Sequence, residues 1–176
     1  MIAKPQPNVE NLPGDNAHLQ TDARQQEGQR FLRFPLWADL QGVIPLASLQ
    51  GVTTVQLREI LPVPHVASHL LGFINWRGEA TWIVDLASVV GGTAWWQRQP
   101  IPATGTGLLV QVEAQPIGLL VERIETVEIY DPKQRLPLTV SMLPELTSRF
   151  LNGYFLDSTS QMRMQLDLDA VVQALR

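Results

Sequence analysis

The chain has 176 residues, of which 45% are hydrophobic and 17% charged, with a formal net charge of −4. It can bury a core while carrying less charge than the roughly 25% of an average soluble domain, and it has no basic run to track phosphates, which argues against nucleic acid as a partner. The absence of cysteine excludes disulfide scaffolds, thiolate zinc sites, iron–sulfur clusters and cysteine nucleophiles.

Residues 1 to about 29 hold Pro5, Pro7, Pro13, Gly14 and many amides, with few apolar side chains and no period. Such a stretch cannot offset its ordering entropy by burial and reads as a flexible tail. It lacks the continuous apolar segment of a secretory signal, and the apolar runs at 108–110 and 117–121 are far below the ~20 residues of a spanning helix. A cytoplasmic location without membrane insertion is the expectation.

From residue 30 the texture changes. RFLRFPLW (30–37) and GVIPL (42–46) read as short strands, with Pro35 and Pro45 marking edges or bulges because proline cannot donate to a ladder. LREILPVP (57–64) ends on two prolines that fix an extended course. HVASHLLG (65–72) fits one or two helical turns closed by Gly72. GFINWRGEATWIVDL (72–86) then places Arg77-Gly78-Glu79 between two apolar, β-prone runs, the pattern of a hairpin whose turn uses the backbone freedom of Gly78.

DLASVVGG (85–92) reads as a short helix begun near Asp85 and ended by Gly91-Gly92. TAWWQRQPIPATG (93–105) breaks the pattern and is taken as the connector between two lobes, about 30–92 and about 106–176. Beyond it, 107–113 alternates as a strand, Gln115-Pro116 turns, and 117–121 is a nearly buried strand. A proline-led turn precedes a strand centred on Gly153-Tyr154-Phe155. Met162, Met164 and Leu166 alternate with Arg163, Gln165 and Asp167, and Asp167 caps a last helix carrying Leu168, Val171, Val172 and Leu175 on one face. The chain is mainly β with a few short helices.

Enzyme motifs are missing: there is no phosphate-binding loop, dinucleotide turn, nucleophile elbow or H-E-x-x-H. His65 and His69, spaced i, i+4, would share one face of a helix, yet a metal site needs a third ligand such as Glu59 or Asp85. With the tryptophans they define the competing reading, a metal- or carbohydrate-dependent enzyme. Glu122, Glu125, Glu128 and Asp131 around Arg123 are spaced as a solvated edge rather than a catalytic pair. Trp95-Trp96 either bury against a lobe or face a partner.

The run IPLASLQGV (44–52), the hairpin Gly72-Phe73-Ile74-Asn75-Trp76-Arg77-Gly78, and the ending Ile83-Val84-Asp85-Leu86 together resemble the CheW adaptor family of bacterial chemotaxis systems. Pro116-Ile117-Gly118-Leu119-Leu120-Val121, Phe150-Leu151-Asn152-Gly153 and Met164-Gln165-Leu166-Asp167 resemble its later motifs, so the likeness runs over about 30–175. It implies two small five-stranded SH3-like β-barrel lobes side by side, an apolar groove between them, no catalysis and no cofactor. The implied partners are a chemotaxis-type histidine kinase and the cytoplasmic tip of a chemoreceptor, in a flagellar, type IV pilus or other motility array, or as a competitor within one. The implied partner-binding residues are Leu49, Val52, Gly72, Asn75, Trp76, Arg77, Gly78 and Val121. Two positions depart from the family pattern. Its acidic residue falls at Gly51, so that, if that acid pairs with the hairpin arginine in the family, Arg77 here finds another partner or is held less firmly, and its leucine before the hairpin arginine is Trp76.

Overall fold

A computed structural model describes residues 28–175 except 114 and 140. The expected tail lies outside the described residues but for its last two, and Gln29 already opens the first strand. The described residues form ten strands in two five-stranded sheets, joined by short helices and turns, in agreement with the expected fold. None of the helices is long and apolar enough to cross a membrane.

The first sheet has the order β8-β1-β2-β10-β9, built from β1 (Gln29–Trp37), β2 (Leu40–Pro45), β8 (Thr126–Tyr130), β9 (Leu151–Leu156) and β10 (Met162–Leu166). The second has the order β3-β6-β7-β5-β4, from β3 (Leu49–Gln56), β4 (Leu70–Trp76), β5 (Glu79–Asp85), β6 (Thr104–Val112) and β7 (Gln115–Val121). One pair in each sheet is parallel, β2 with β10 and β5 with β7.

This pairing corrects the division of the chain at 93–105. β3 precedes that segment and pairs with β6 beyond it, while β1 and β2 pair with β8 and β10. The second sheet is thus one uninterrupted stretch of chain, and the first is assembled from its two flanks. The segment 93–105 is no seam. Trp95 is 1% exposed, its backbone N–H donates to Asp85 Oδ2 at 2.6 Å and its indole N–H to the Pro102 carbonyl at 3.0 Å. The connector therefore lines the interior of the second sheet, while Trp96 stays 42% exposed.

Most of the core lies between the sheets. Leu32, Phe34, Leu36, Ile44 and Met164 from the first meet Val84, Leu108, Val110, Leu119 and Val121 from the second. Alternation along β1 explains the split, because neighbouring residues on a strand point to opposite faces: Leu32, Phe34 and Leu36 enter this core, while Phe31 joins Val43, Phe155 and Tyr130 on the other face. Pro35 sits where the β1–β2 register shifts, as its missing donor requires.

The helix caps follow the sequence. Asp85 accepts from Ser88 N ahead of α1 (Leu86–Val89), and Asp167 accepts from Ala170 N ahead of α2 (Leu168–Gln173). The segment 65–69 differs from expectation: it forms turns rather than helix, and Leu70–Gly72 already belong to β4. The cause is a backbone pairing between Leu61 and Phe73, with Leu61 N donating to Phe73 O at 2.8 Å and Phe73 N to Leu61 O at 3.0 Å. That bridge holds the proline-rich segment against the edge of β4, leaving too little chain for a helix. Gly72 allows it: at φ +136° a Cβ would stand 2.1 Å from the Leu61 carbonyl oxygen.

Candidate functional site

The hairpin of β4 and β5 pairs Trp76 with Glu79, leaving Arg77 and Gly78 as a two-residue turn. Both have positive φ, 54° and 88°, the signature of the tight hairpin turn whose twist matches the strands it joins. Asn75 secures it by accepting the Gly78 N–H on Oδ1 at 2.9 Å. Glycine bears the left-handed backbone freely; the arginine bears it at a cost, and the turn fixes where its stem leaves the sheet.

Arg77 is exposed, and its guanidinium lies over the Trp76 ring, 4.6 Å from the centroid. Trp76 is partly buried and packs against the cluster of Val55, Ile74, Ile83, Trp95 and Leu120, the interior of the second sheet. Beneath the ring is Gly51 of β3, where a Cβ would come 3.2 Å from Trp76 Cζ2. The partner of Arg77 is therefore an aromatic face. Among the described residues Arg77 joins no ion pair.

An apolar row runs from the hairpin towards the inter-sheet core. The registers set Leu61 beside Phe73, Phe73 beside Trp82, and Trp82 beside Ile117. The Phe73 and Trp82 rings are 3.8 Å apart at 37°, and Leu61 is 69% exposed. The row opens into a cleft of about 540 Å³ walled by Trp82, Val112 and Ile117 of the second sheet and by Val172 and Leu175 of the C-terminal segment that follows the first. Glu113 and Gln115 complete its lining, so the cleft between the second sheet and the C-terminal segment is apolar along one wall and polar at its rim.

The remaining site candidates divide by burial. Val52 is 43% exposed on β3. Val121 is 4% exposed inside the inter-sheet core, Leu49 packs against that core, and Gly72 is buried under Leu61. Val121 and Gly72 support the surface from beneath, while Leu49 is half-buried and keeps part of its side chain accessible. Residues missed by sequence reasoning are Phe73, Trp82, Leu61 and Ile117, whose grouping depends on registers between strands.

His65 and His69 lie on turns, and His65 has φ 62°, so the shared helical face that made them a ligand pair does not exist. Among the described residues no group of three His, Asp or Glu could hold a metal ion. The acidic stripe lies on the edge-strand side as expected, with Glu122 and Glu125 exposed, but it is more heavily paired than the sequence suggests. Arg33 pairs with Glu125 at 3.0 Å and Glu128 at 2.6 Å, and Arg163, with a side chain only 6% exposed, pairs with Glu128 at 3.6 Å and with Asp157. Tyr130 donates its hydroxyl to Glu128 Oε2 at 2.6 Å, and burial, then the adjoining carboxylate, raises its pKa. Glu128, Tyr130 and Asp157 of this network line, with Phe155, an open groove of about 880 Å³ between the edge strands β8 and β9.

Two other carboxylates are shifted in opposite directions. Burial pushes Asp85 up, against the lowering influence of the Trp95 and Ser88 N–H groups it accepts from. The Gln161 N–H and the Thr159 hydroxyl, with lesser help from Arg163, hold Asp157 down.

Comparison with known proteins follows the same lines. The model of the CheW-like domain matches residues 31–176. Among solved structures the chain is similar to the scaffolding protein TtCheW from Thermoanaerobacter tengcongensis, at 18% identity and a TM-score of 0.65, over 80% of this chain and 90% of that one. A search of curated proteins finds no match.

Proposed function

Because the chain belongs to the CheW-like domain family, we propose that it is a non-catalytic scaffold coupling a chemotaxis-type histidine kinase to the cytoplasmic tip of chemoreceptors. It acts in the cytoplasm beside receptor arrays, as one docking domain from about residue 30 to the C-terminus, with the preceding residues as a tail. The observation that carries the reading is the exposed Arg77 on its two-residue turn, backed by the Phe73–Trp82 row and the cleft beside it.

A preformed cation next to a rigid aromatic surface is the anatomy of a protein-docking hot spot. Arginine suits it because its planar fork can grip a carboxylate while its stem lies on apolar surface. Asn75 and Gly78 serve by fixing the turn, Trp76 by carrying the arginine, and Val52 as an exposed neighbour on β3. Gly72 and Val121 contribute from beneath, and half-buried Leu49 from the start of β3.

The test is calorimetry with two probes from the same organism: the regulatory domain of the kinase and a cytoplasmic-tip fragment of a chemoreceptor. Arg77→Ala is expected to weaken one of the two by about 1–2 kcal/mol, the range of an interface anchor, while leaving thermal unfolding unchanged. Absence of binding to both probes at tens of micromolar would overturn the reading.

A further inference from the structure

We propose that Gly51 and Trp76 form one positioning pair, in which the indole seated on bare backbone holds the Arg77 guanidinium and leaves its charge free for a carboxylate of the partner. This rests on the docking reading above and names the chemistry that the site selects.

Three observations converge. First, Gly51 does not adopt the left-handed conformation that glycine alone tolerates, since the positive-φ glycines are Gly72, Gly78, Gly91 and Gly153. Its φ therefore does not demand a glycine, although the β3–β6 register shifts between Leu49 and Gly51, where a small residue eases the irregularity. Space also favours glycine: a Cβ at Gly51 would press on Trp76 Cζ2 at 3.2 Å, tighter than ordinary van der Waals contact.

Second, β3 and β4 are the two edge strands of their sheet and share no ladder. The Trp76 ring spans the gap between them, held below by Gly51 and behind by Ile74, Ile83 and Trp95. A ring fixed on two sides cannot follow a mobile side chain, so the side chain must come to the ring.

Third, the arginine meets that ring from a turn that sets its direction. Its guanidinium stands over the face of the indole, where the ring quadrupole attracts a cation without cancelling its charge. Arg98 offers the contrast. It lies over Trp95 at 4.5 Å and also pairs with Glu122 at 3.6 Å, so its charge is already answered within the molecule. A carboxylate in place of the Trp76 ring would hold Arg77 in the same way but would compete with the partner's. The aromatic seat orders the fork and keeps it available. The fitting partner presents a carboxylate next to an apolar ridge that can lie along Phe73 and Trp82.

The experiment reads the seat and the docking separately. Side-chain NMR of Arg77 in the free protein reports the seat, because protons above an indole face shift upfield. Calorimetry with the chemoreceptor tip fragment reports the docking. Trp76→Leu is expected to abolish the upfield shift and to weaken binding about threefold, the size of an exposed cation–π contact. Trp76→Phe keeps part of the shift and rescues most of the affinity. Gly51→Val displaces the ring and behaves like Trp76→Leu. Gly51→Ala, which asks the ring to move by only a few tenths of an ångström, gives a smaller change of the same sign should the valine variant fail to fold. An unaltered Arg77 spectrum in Trp76→Leu overturns the positioning pair. A lost shift with full affinity in that variant, while Arg77→Ala binds weakly, overturns the role of the seat in docking and spares the docking reading. Full affinity in Arg77→Ala overturns that reading instead.

Discussion

The two sheets have unlike interiors. That of the second is apolar and shut: Val55, Ile74, Ile83 and Leu120 surround Trp95, and Trp76 bridges its edge strands over Gly51. That of the first is half aromatic and half ionic, and it is open. Tyr130 stacks on Phe155 at 4.7 Å and 9°, Phe31 lies 5.1 Å from Phe155, and Arg33 and Arg163 thread between Glu125, Glu128 and Asp157. Dispersion and apolar burial are indifferent to pH and little affected by salt; a buried ion pair is sensitive to both and forfeits much of its Coulomb gain to desolvation. The closed interior carries the hairpin whose geometry must not drift. The open one bears the consequences of titration through its ion pairs, and the closed one through buried Asp85, which accepts the Trp95 N–H.

The largest expected effect strikes the closed interior. Trp95→Ala should cost about 3–5 kcal/mol, the usual loss for truncating a buried aromatic, read from urea unfolding; a loss below about 1 kcal/mol would mean that the connector is not part of that core. Next is Arg163→Ala in the open interior, which takes a nearly buried cation from Glu128 and Asp157 while Arg33 and Tyr130 still hold Glu128, and should cost about 1–3 kcal/mol. If Arg163→Ala were neutral at physiological salt, the contrast between ionic and apolar interiors would collapse.

The smallest effect is the pH response, and its sign is set by two carboxylates. Asp157 has a folded pKa below its ordinary value, so its contribution is present above the ordinary carboxylate range and is lost as pH falls through the folded value. Asp85 has a folded pKa above the ordinary value, so its contribution is full below the ordinary range and disappears as pH rises through the folded value. Urea midpoints followed from neutral pH into the carboxylate range should show Asp157→Asn flattening the acid loss and Asp85→Asn steepening it. Identical profiles for both variants would refute the assignment.

The parts of this molecule that could be read from sequence are local ones. Gly78 in an apolar hairpin, Asp85 and Asp167 at helix starts, and the 162–167 alternation each speak through neighbours within a few residues. What could not be read joins distant residues. The parallel pairs tie Gly42 to Met164 and Val84 to Leu119, and no period in either strand announces its partner, so the lobes were divided at the wrong place. The pairing of the acid stripe was hidden because its cations, Arg33 and Arg163, lie far away in the chain. Gly51 and Trp76 appeared only as two separate departures from a family pattern, and the coordinates make them one. The histidine segment misled for another reason: a bridge at Leu61 overrode a weak local preference for helix.

The chain passes from the first sheet to the second at Leu46–Ser48 and returns at 122–125. Two covalent straps, rather than one linker, therefore span the halves, and the return strap is itself riveted by Arg123 to Glu122 and Glu125. A body tied at two points resists twisting and bending in a way that beads on a single string do not. Such a part can transmit a displacement from one face to the other, and it sets a fixed distance between whatever it touches on either side.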